Sequence, residues 1–259
     1  MDFYKKFQDQ GYLVVNGENI GIDIKDLTEK IIKSLNKLPI PPQFKSNEKI
    51  DLIKYISSIT EKETNNEVSS KIYQFLPSLP ELYQISSNEK LLSFLNDLEI
   101  KFPTLGTVPM IRIDRPKNKF YSTPWHQDYW FSFSSFDSVV LWAPLGNINK
   151  SHGYLKILTN SHKHGLLPFT NNQDSNEPFI IKSHIDESKV EEIKVNFGEI
   201  LIFKQTLLHM SGFNNSEQSR VSLQLRYNKM DSSTEIFSTF RSVHSKYVAD
   251  KQKSFYEQN

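Results

Sequence analysis

The sequence predicts an α+β arrangement or a β-barrel with helical buttressing, because helical patterns come first along the chain and strand patterns come later. Residues 1–100 carry apolar residues at three- and four-residue steps, the spacing of amphipathic helices. From about residue 105, alternating segments and short apolar runs predominate. No repeat or long linker divides the 259 residues. We therefore expect a single domain with a helical part at about 1–100, a β core at about 105–230 and a C-terminal extension at 231–259.

Three helices and one strand are predicted in the first 100 residues. The first helix follows Asp23, the second follows Ser46, and the third opens at the capping box that begins at Ser86. Their apolar stripes are Ile24, Leu27, Ile31, Leu35 and Leu38; Ile50, Ile53, Ile56 and Ile59; and Leu91, Leu92, Leu95 and Leu98. Residues 11–15 (GYLVV) form the strand, and prolines mark the breaks near residues 39–42 and 77–80.

Four strands are predicted after residue 105. Residues 110–114 (MIRID) and 220–227 (RVSLQLRY) alternate between polar and apolar side chains, which indicates strands with two unlike faces. Residues 139–143 (VVLWA) and 200–203 (ILIF) are continuous apolar runs, which are typical of strands buried on both faces. Gly198 and Glu199 supply a turn before the last of these.

Composition excludes several classes of protein. The 31 basic and 30 acidic residues give a net charge of +1, so nothing favours nucleic acid as a partner. The chain has no cysteine, so any metal must be held by histidine and carboxylate, which favours iron or manganese over structural zinc. The N-terminus lacks the apolar core of a signal peptide, and no run approaches the ~18 apolar residues of a membrane span. We expect a cytoplasmic protein with no membrane partner; the sequence carries no signal for its oligomeric state.

The segment Trp125-His126-Gln127-Asp128, taken with His209, predicts a metal site. In an extended segment, side chains two residues apart point the same way, so His126 and Asp128 can grip one ion. A distant histidine completes the 2-His-1-carboxylate set, which holds Fe(II) on one face and leaves three positions open. His209 alone could equally be a core histidine with satisfied hydrogen bonds, but its spacing from His126 and Arg220 favours a ligand.

A second His-x-Asp match, His184-Ile185-Asp186, is the alternative carboxylate pair. It precedes a charged stretch that is typical of a solvated loop. It also leaves only 25 residues before His209, too few for the strands that should separate the two ligand segments. We therefore interpret His184 as a surface histidine.

The strand from Arg220 predicts an anion-binding face. Arg220, Ser222, Gln224 and Arg226 share one side of it, and burying such a face without partners would be costly. A polar cavity that holds an anion resolves the cost, because arginine binds carboxylate through a bidentate fork and Ser222 can donate to the same group. The alternative is a solvated face. Arg112 and Arg226 are the candidate contacts to an anionic substrate.

Aromatic residues crowd the metal motif. They can wall a substrate pocket and exclude water from the metal, although ordinary core packing explains each one equally well. The group is Trp125, Tyr129, Trp130, Phe131 and Phe133. Trp130 is the candidate substrate contact.

Taken as an ordered set, these motifs resemble the phytanoyl-CoA dioxygenase family. The resemblance rests on residues 125–128 (WHQD), 142–145 (WAPL), 152–158 (HGYLKIL), 161–163 (SHK) and the segment from Gly198 to Arg220. The opening from Phe3 to Val15 is also similar to that family's first helix and strand. Residues 40–100 match nothing that we can name.

The resemblance implies a mainly β fold, the double-stranded β-helix or cupin-like jelly roll, with the helices as a buttress. It implies a hydroxylase that uses Fe(II), 2-oxoglutarate and O2. His126, Asp128 and His209 would then hold the metal, Arg220 and Ser222 would bind 2-oxoglutarate, and Trp142 would touch it. Some relatives carry a polar cosubstrate contact on the strand before the metal motif, where this chain has Met110 or Arg112. Related halogenases lack the carboxylate ligand, so Asp128 favours hydroxylation.

The substrate is the open question at this level. The family accepts acyl thioesters and many small metabolites, and the arginines favour a small polar or anionic molecule hydroxylated beside Trp130. The alternatives are a hydroxylase of an acyl thioester and a jelly-roll protein that binds a metal without turnover.

Overall fold

The computed structural model describes residues 3–46, 50–63, 66–129, 135–171, 178–180 and 185–230. The predicted C-terminal extension and Trp130 lie outside these ranges. Within them, the helical and strand halves follow in the predicted order. The helices are α1 (Phe3–Gln10), α2 (Ile24–Lys37), α3 (Leu52–Lys62), α4 (Glu67–Phe75), α5 (Pro80–Ser86) and α6 (Glu89–Asp97).

Eleven strands are described, and all their pairings are antiparallel. They are β1 (Tyr12–Asn16), β2 (Thr104–Leu105), β3 (Met110–Asp114), β4 (Val139–Pro144), β5 (Leu155–Leu158), β6 (Phe169–Asn171), β7 (Pro178–Ile180), β8 (Val190–Ile193), β9 (Glu199–Lys204), β10 (His209–Met210) and β11 (Arg220–Asn228). The large sheet has the order β1-β9-β4-β11-β2, with β3 also paired to β11. A small sheet has the order β10-β5-β8, and β6 pairs with β7.

The large sheet is covered on both faces, which explains why β4 and β9 are continuously apolar. On β4, Leu141 packs into the core shared with the helices, whereas Trp142 packs into a second core shared with the small sheet. On β9, Ile202 packs into the core shared with the helices, and Phe203 packs into the core shared with the small sheet. Two antiparallel sheets therefore face each other, with helices against the outer face of the larger one. This is the expected cupin-like jelly roll with a helical buttress.

The predicted strands are all found, but two helix starts differ from the prediction. Helix α3 begins after Asp51, whose carboxylate accepts the Lys54 amide at 2.9 Å; Ser46 is not its cap. Helix α6 begins after Asn88, whose side chain accepts the amides of Lys90 and Leu91; Ser86 ends the preceding helix. In both places the nearest Asx residue competes better for the first free amides than the more distant serine.

Residues 40–100 act as packing elements in the part that the structure describes. Ile53, Ile56 and Ile59 of α3 are buried in the core between the helices and the large sheet. The isoleucine stripe therefore does not line the cavity described below. No helix in the described ranges is long and apolar enough to cross a membrane.

Candidate active site

His126 and His209 meet across a short antiparallel bridge. The His126 amide donates to the His209 carbonyl at 2.9 Å, and the return bond measures 3.0 Å. Asp128 lies beside them, and all three side chains are buried. Their ligand atoms lie within 4.8 Å of one another. This group of three is the potential metal cluster found among the described residues.

The hydrogen bonds of the two imidazoles determine which ring nitrogen carries the proton in each. Nδ1 of His126 lies 2.7 Å from the Pro124 carbonyl, and Nδ1 of His209 lies 2.9 Å from the Leu207 carbonyl. A carbonyl can only accept, so each Nδ1 carries the proton and each Nε2 offers a lone pair. The Nε2 atoms lie 3.9 and 3.7 Å from the oxygens of Asp128, too far for hydrogen bonds. This spacing suits an ion between them.

The electrostatics of the group favour neutral imidazoles beside a charged carboxylate. Burial, with His209 nearby, lowers the pKa of His126 to about 3, and burial lowers that of His209. Burial alone would raise the pKa of Asp128, but Arg226, His209 and His126 together hold it well below its usual range. The donor set is thus two neutral nitrogens and one anionic oxygen, which fits Fe(II).

Gln127 faces away from this group and fixes the segment that carries the candidate ligands. Its amide nitrogen donates to the carbonyls of Gly165 and Thr206, at 2.9 and 2.6 Å. Its oxygen accepts the Leu167 amide at 2.9 Å, and the side chain is fully buried. These bonds hold His126 and Asp128 between two neighbouring loops.

The competing carboxylate, Asp186, serves as a helix cap. It accepts the Ser188 amide and hydroxyl at the start of a 3-10 helix, Glu187–Lys189. Its side chain is half exposed. His184 lies outside the described residues.

The polar face of β11 lines a cavity beside the triad. The cavity is partly open to solvent, and Arg220, Gln224 and Arg226 reach it together with Trp142. On the opposite face, Val221, Leu223, Leu225 and Tyr227 belong to the helical core. The predicted division of this strand into two unlike faces is therefore confirmed.

Arg220 is fully buried and already bonded. Oδ2 of Asp114 accepts its Nε at 3.0 Å and its Nη2 at 2.7 Å, while Nη1 donates to the carbonyls of Gly153 and Gly212. Asp114 also accepts from Arg112 through its other oxygen, at 2.6 Å. Asp114 is a cavity residue that was not among the predicted site residues. The available signal was its position on the same face of β3 as Arg112.

Ser222 is not among the residues that line the cavity, but it is one of the buried polar residues without a hydrogen-bond partner among the described residues. Its side chain is fully buried. It lies two residues from Arg220 on the strand face that lines the cavity. A carboxylate that reached Arg220 could accept the hydroxyl of Ser222, so the predicted 2-oxoglutarate contacts fit these surroundings.

Two of the three candidate substrate residues lie at the cavity, and the third lies outside the described residues. Arg112 and Arg226 both line the cavity. Arg226 donates through Nη2 to Asp128 at 3.1 Å, and its Nε is buried without a partner among the described residues. Trp130 is outside the described residues, so its role stays a prediction.

Comparison with solved structures gives the same fold at low sequence identity. ThoJ, a non-heme monooxygenase, is 15% identical with a TM-score of 0.57, covering 87% of this chain and 76% of that one. EvdO2 from Micromonospora carbonacea var. aurantiaca, in complex with 2-oxoglutarate, is 14% identical with a TM-score of 0.56, covering 92% and 95%. EctD from S. alaskensis, with 2-oxoglutarate and 5-hydroxyectoine, is 14% identical with a TM-score of 0.57, covering 92% and 83%.

Comparison with curated protein sequences gives no significant match. The sequence model of one family, however, matches residues 7–222, a span that includes β1, all three members of the triad and Arg220. The chain therefore belongs to the phytanoyl-CoA dioxygenase family.

Proposed function

We propose that this protein hydroxylates a small polar or anionic metabolite at the expense of 2-oxoglutarate and O2. The balance of the reaction is one C–H bond converted to C–OH, with 2-oxoglutarate converted to succinate and CO2. The observation that carries the proposal is the buried group of His126, Asp128 and His209, whose potential ligand atoms lie within 4.8 Å of one another. Bound Fe(II) would supply the oxidation chemistry, and the protein supplies position and a dry site.

The chain's own residues have distinct tasks in this proposal. His126 and His209 offer Nε2 to the ion, because backbone carbonyls hold their Nδ1 protons. Arg220 and Ser222 bind the distal carboxylate of 2-oxoglutarate, and Trp142 lies against the cosubstrate. The bonds that already hold Arg220 fix its guanidinium before the cosubstrate arrives, which reduces the entropy lost on binding.

The charges around the cavity support an anionic or polar substrate. Arg112, Arg220 and Arg226 line it with two carboxylates, Asp114 and Asp128. The isoleucine stripe of α3, which could have formed an apolar channel, packs in the core instead. A long acyl chain therefore has no apolar groove from that helix, whereas a compact acid can reach Arg112 and Arg226.

Anaerobic spectroscopy and a substrate panel test the proposal. Purified protein with Fe(II) and 2-oxoglutarate should develop a visible charge-transfer band, and succinate should form on exposure to air. Succinate release is then compared across small polar acids and acyl-CoA thioesters, with the hydroxylated product quantified.

The outcomes separate the alternatives. Absence of both the band and succinate formation would favour the non-catalytic metal-binding protein. Tight coupling to a long acyl-CoA alone would refute the substrate class while leaving the reaction class intact. Succinate formation tightly coupled to a small acid would support both parts of the proposal.

A further inference from the structure

Arg226 contacts a predicted metal ligand directly. Its Nη2 lies 3.1 Å from Oδ1 of Asp128, and the same nitrogen lies 3.1 Å from Oε1 of Gln224. The Arg226 side chain is 12% exposed and that of Asp128 is 4% exposed, so water screens their ion pair poorly. Arg226 is therefore a buried residue that contacts both a candidate metal ligand and a neutral amide, and its charge is poorly screened by solvent.

The contact makes the two oxygens of Asp128 unequal. Each oxygen faces one imidazole, Oδ1 at 3.9 Å from Nε2 of His126 and Oδ2 at 3.7 Å from Nε2 of His209, but it is Oδ1 that accepts the charge-assisted hydrogen bond from Arg226. A carboxylate can bind an ion through one oxygen or through both. An oxygen held by a guanidinium has less electron density to offer, so the bond from Arg226 favours binding through Oδ2 alone.

The same strand holds Arg226 in place. Gln224 and Arg226 are two residues apart on β11, so their side chains lie on one face, and the amide oxygen of Gln224 limits the rotation of the guanidinium. The Nε atom of Arg226 is buried and has no partner among the described residues. The substrate contact expected of Arg226 can therefore use Nε while Nη2 stays on Asp128.

We propose that Arg226 is a positioning residue that restricts Asp128 to one metal bond and so keeps three coordination positions open. The inference rests on the proposed function only through the assignment of His126, Asp128 and His209 as metal ligands. It needs neither turnover nor a known substrate.

Mn(II) and Co(II), each added alone to the purified protein, test this role. Three water molecules can occupy the open positions of a facial triad, and a carboxylate that binds through both oxygens would displace one of them. In Arg226→Met, the water-proton relaxation enhancement at saturating Mn(II) should fall by about one third. The visible absorption of bound Co(II) should change in shape, because a carboxylate oxygen replaces water in the coordination shell at an unchanged coordination number. Arg226→Lys, which keeps the charge and one donor, should recover part of both signals.

Two further variants separate the effect on the metal site from a general loss of stability. Gln224→Leu removes only the second acceptor of Arg226 and should shift both signals in the same direction by a smaller amount. Lys229→Met is the matched control. Lys229 lies just beyond β11, and its ammonium is 3.3 Å from Asp137. The Mn(II) and Co(II) signals of this variant should therefore equal those of the wild type. Wild-type signals in both Arg226→Met and Gln224→Leu would overturn the proposal.

The result is also separable from the proposed function. If the wild-type protein binds Mn(II) and responds to Arg226→Met but never forms succinate, the positioning role stands and the oxygenase activity fails. If the variants change only the KM of a primary substrate, with unchanged metal signals, Arg226 is a substrate contact and the positioning role is wrong.

Discussion

Asp114 and Arg220 face each other across the pairing of β3 with β11, and a single oxygen of Asp114 accepts two hydrogen bonds from the guanidinium. Both side chains are almost completely buried. Because the sheet register sets this pair, Arg220 is oriented before any cosubstrate binds. The other oxygen of Asp114 holds Arg112, so one carboxylate orients two arginines that line the cavity.

Replacing Asp114 should therefore destabilise the fold strongly. Asp114→Asn removes the negative charge between Arg112 and Arg220, and loss of one partner of a buried ion pair costs about 3–5 kcal/mol. We expect the free energy of unfolding, measured with urea, to fall by about that amount. Asp137→Asn, which affects a half-exposed carboxylate paired with Lys229, should change it by less than about 1 kcal/mol. Equal effects of the two substitutions would contradict this account of the pair.

Arg220→Ala should raise the KM for 2-oxoglutarate at least about tenfold. Truncating one partner of a buried charged contact costs about 2–5 kcal/mol, and each 1.4 kcal/mol corresponds to about a factor of ten. The measurement is succinate formation against 2-oxoglutarate concentration. Arg115→Ala, whose arginine pairs with Glu63 outside the cavity, is the matched control. An unchanged KM in the Arg220 variant would show that the distal carboxylate binds elsewhere.

Asp128→Ala should abolish 2-oxoglutarate-dependent turnover, whereas Asp186→Ala should leave it near the wild-type rate. The first substitution removes one of three metal ligands and the negative charge that balances the ion. The second removes only the cap of a short helix on the surface. Product formation and Mn(II) binding are measured for both variants. If the Asp186 variant proves to be the inactive one, the choice between the two His-x-Asp segments is wrong.

The metal-free protein should lose stability as the pH falls below about 6.5. Unfolded histidine titrates near 6.5, whereas burial lowers the pKa of His126 to about 3 in the fold and also lowers that of His209. Between those pH values a buried histidine is protonated in the unfolded chain but not in the folded chain. The free energy of unfolding therefore falls by about 1.4 kcal/mol per pH unit for each such histidine as the pH is lowered. Urea unfolding from pH 7.5 to 4.5 measures the slope. His126→Asn should make this slope shallower. A slope equal to that of the wild type would show that His126 is not responsible for the pH dependence.

Much of this architecture was predictable because its pattern is local. The two-residue alternation of residues 220–227 predicted both the strand and its polar face, and the apolar runs at 139–143 and 200–203 predicted strands buried on both sides. That His126 and Asp128 lie together was predictable because they are two residues apart in the chain, and the structure brings His209 to the same group. Which serine or Asx residue caps a helix was less predictable, because several candidates lie close together before α3 and α6.

Asp114 and the contact between Arg226 and Asp128 were not predictable from the sequence. The first depends on the register between β3 and β11, and the second on where the segment that carries Asp128 lies against β11; one sequence does not contain that information. The alternation of β3 placed Arg112 and Asp114 on one face, but only the pairing with β11 shows that the carboxylate meets Arg220.

The bridge between His126 and His209 has a consequence for the lifetime of the protein. It joins two segments that are distant in the chain, and an ion held there would bind side chains from both. In a chain without cysteine, that ion is a removable cross-link. At a free-ion concentration one hundred times its Kd, it would add about 2.7 kcal/mol to the stability of the fold. Iron supply would then govern how long each molecule survives proteolysis, as well as how fast it turns over.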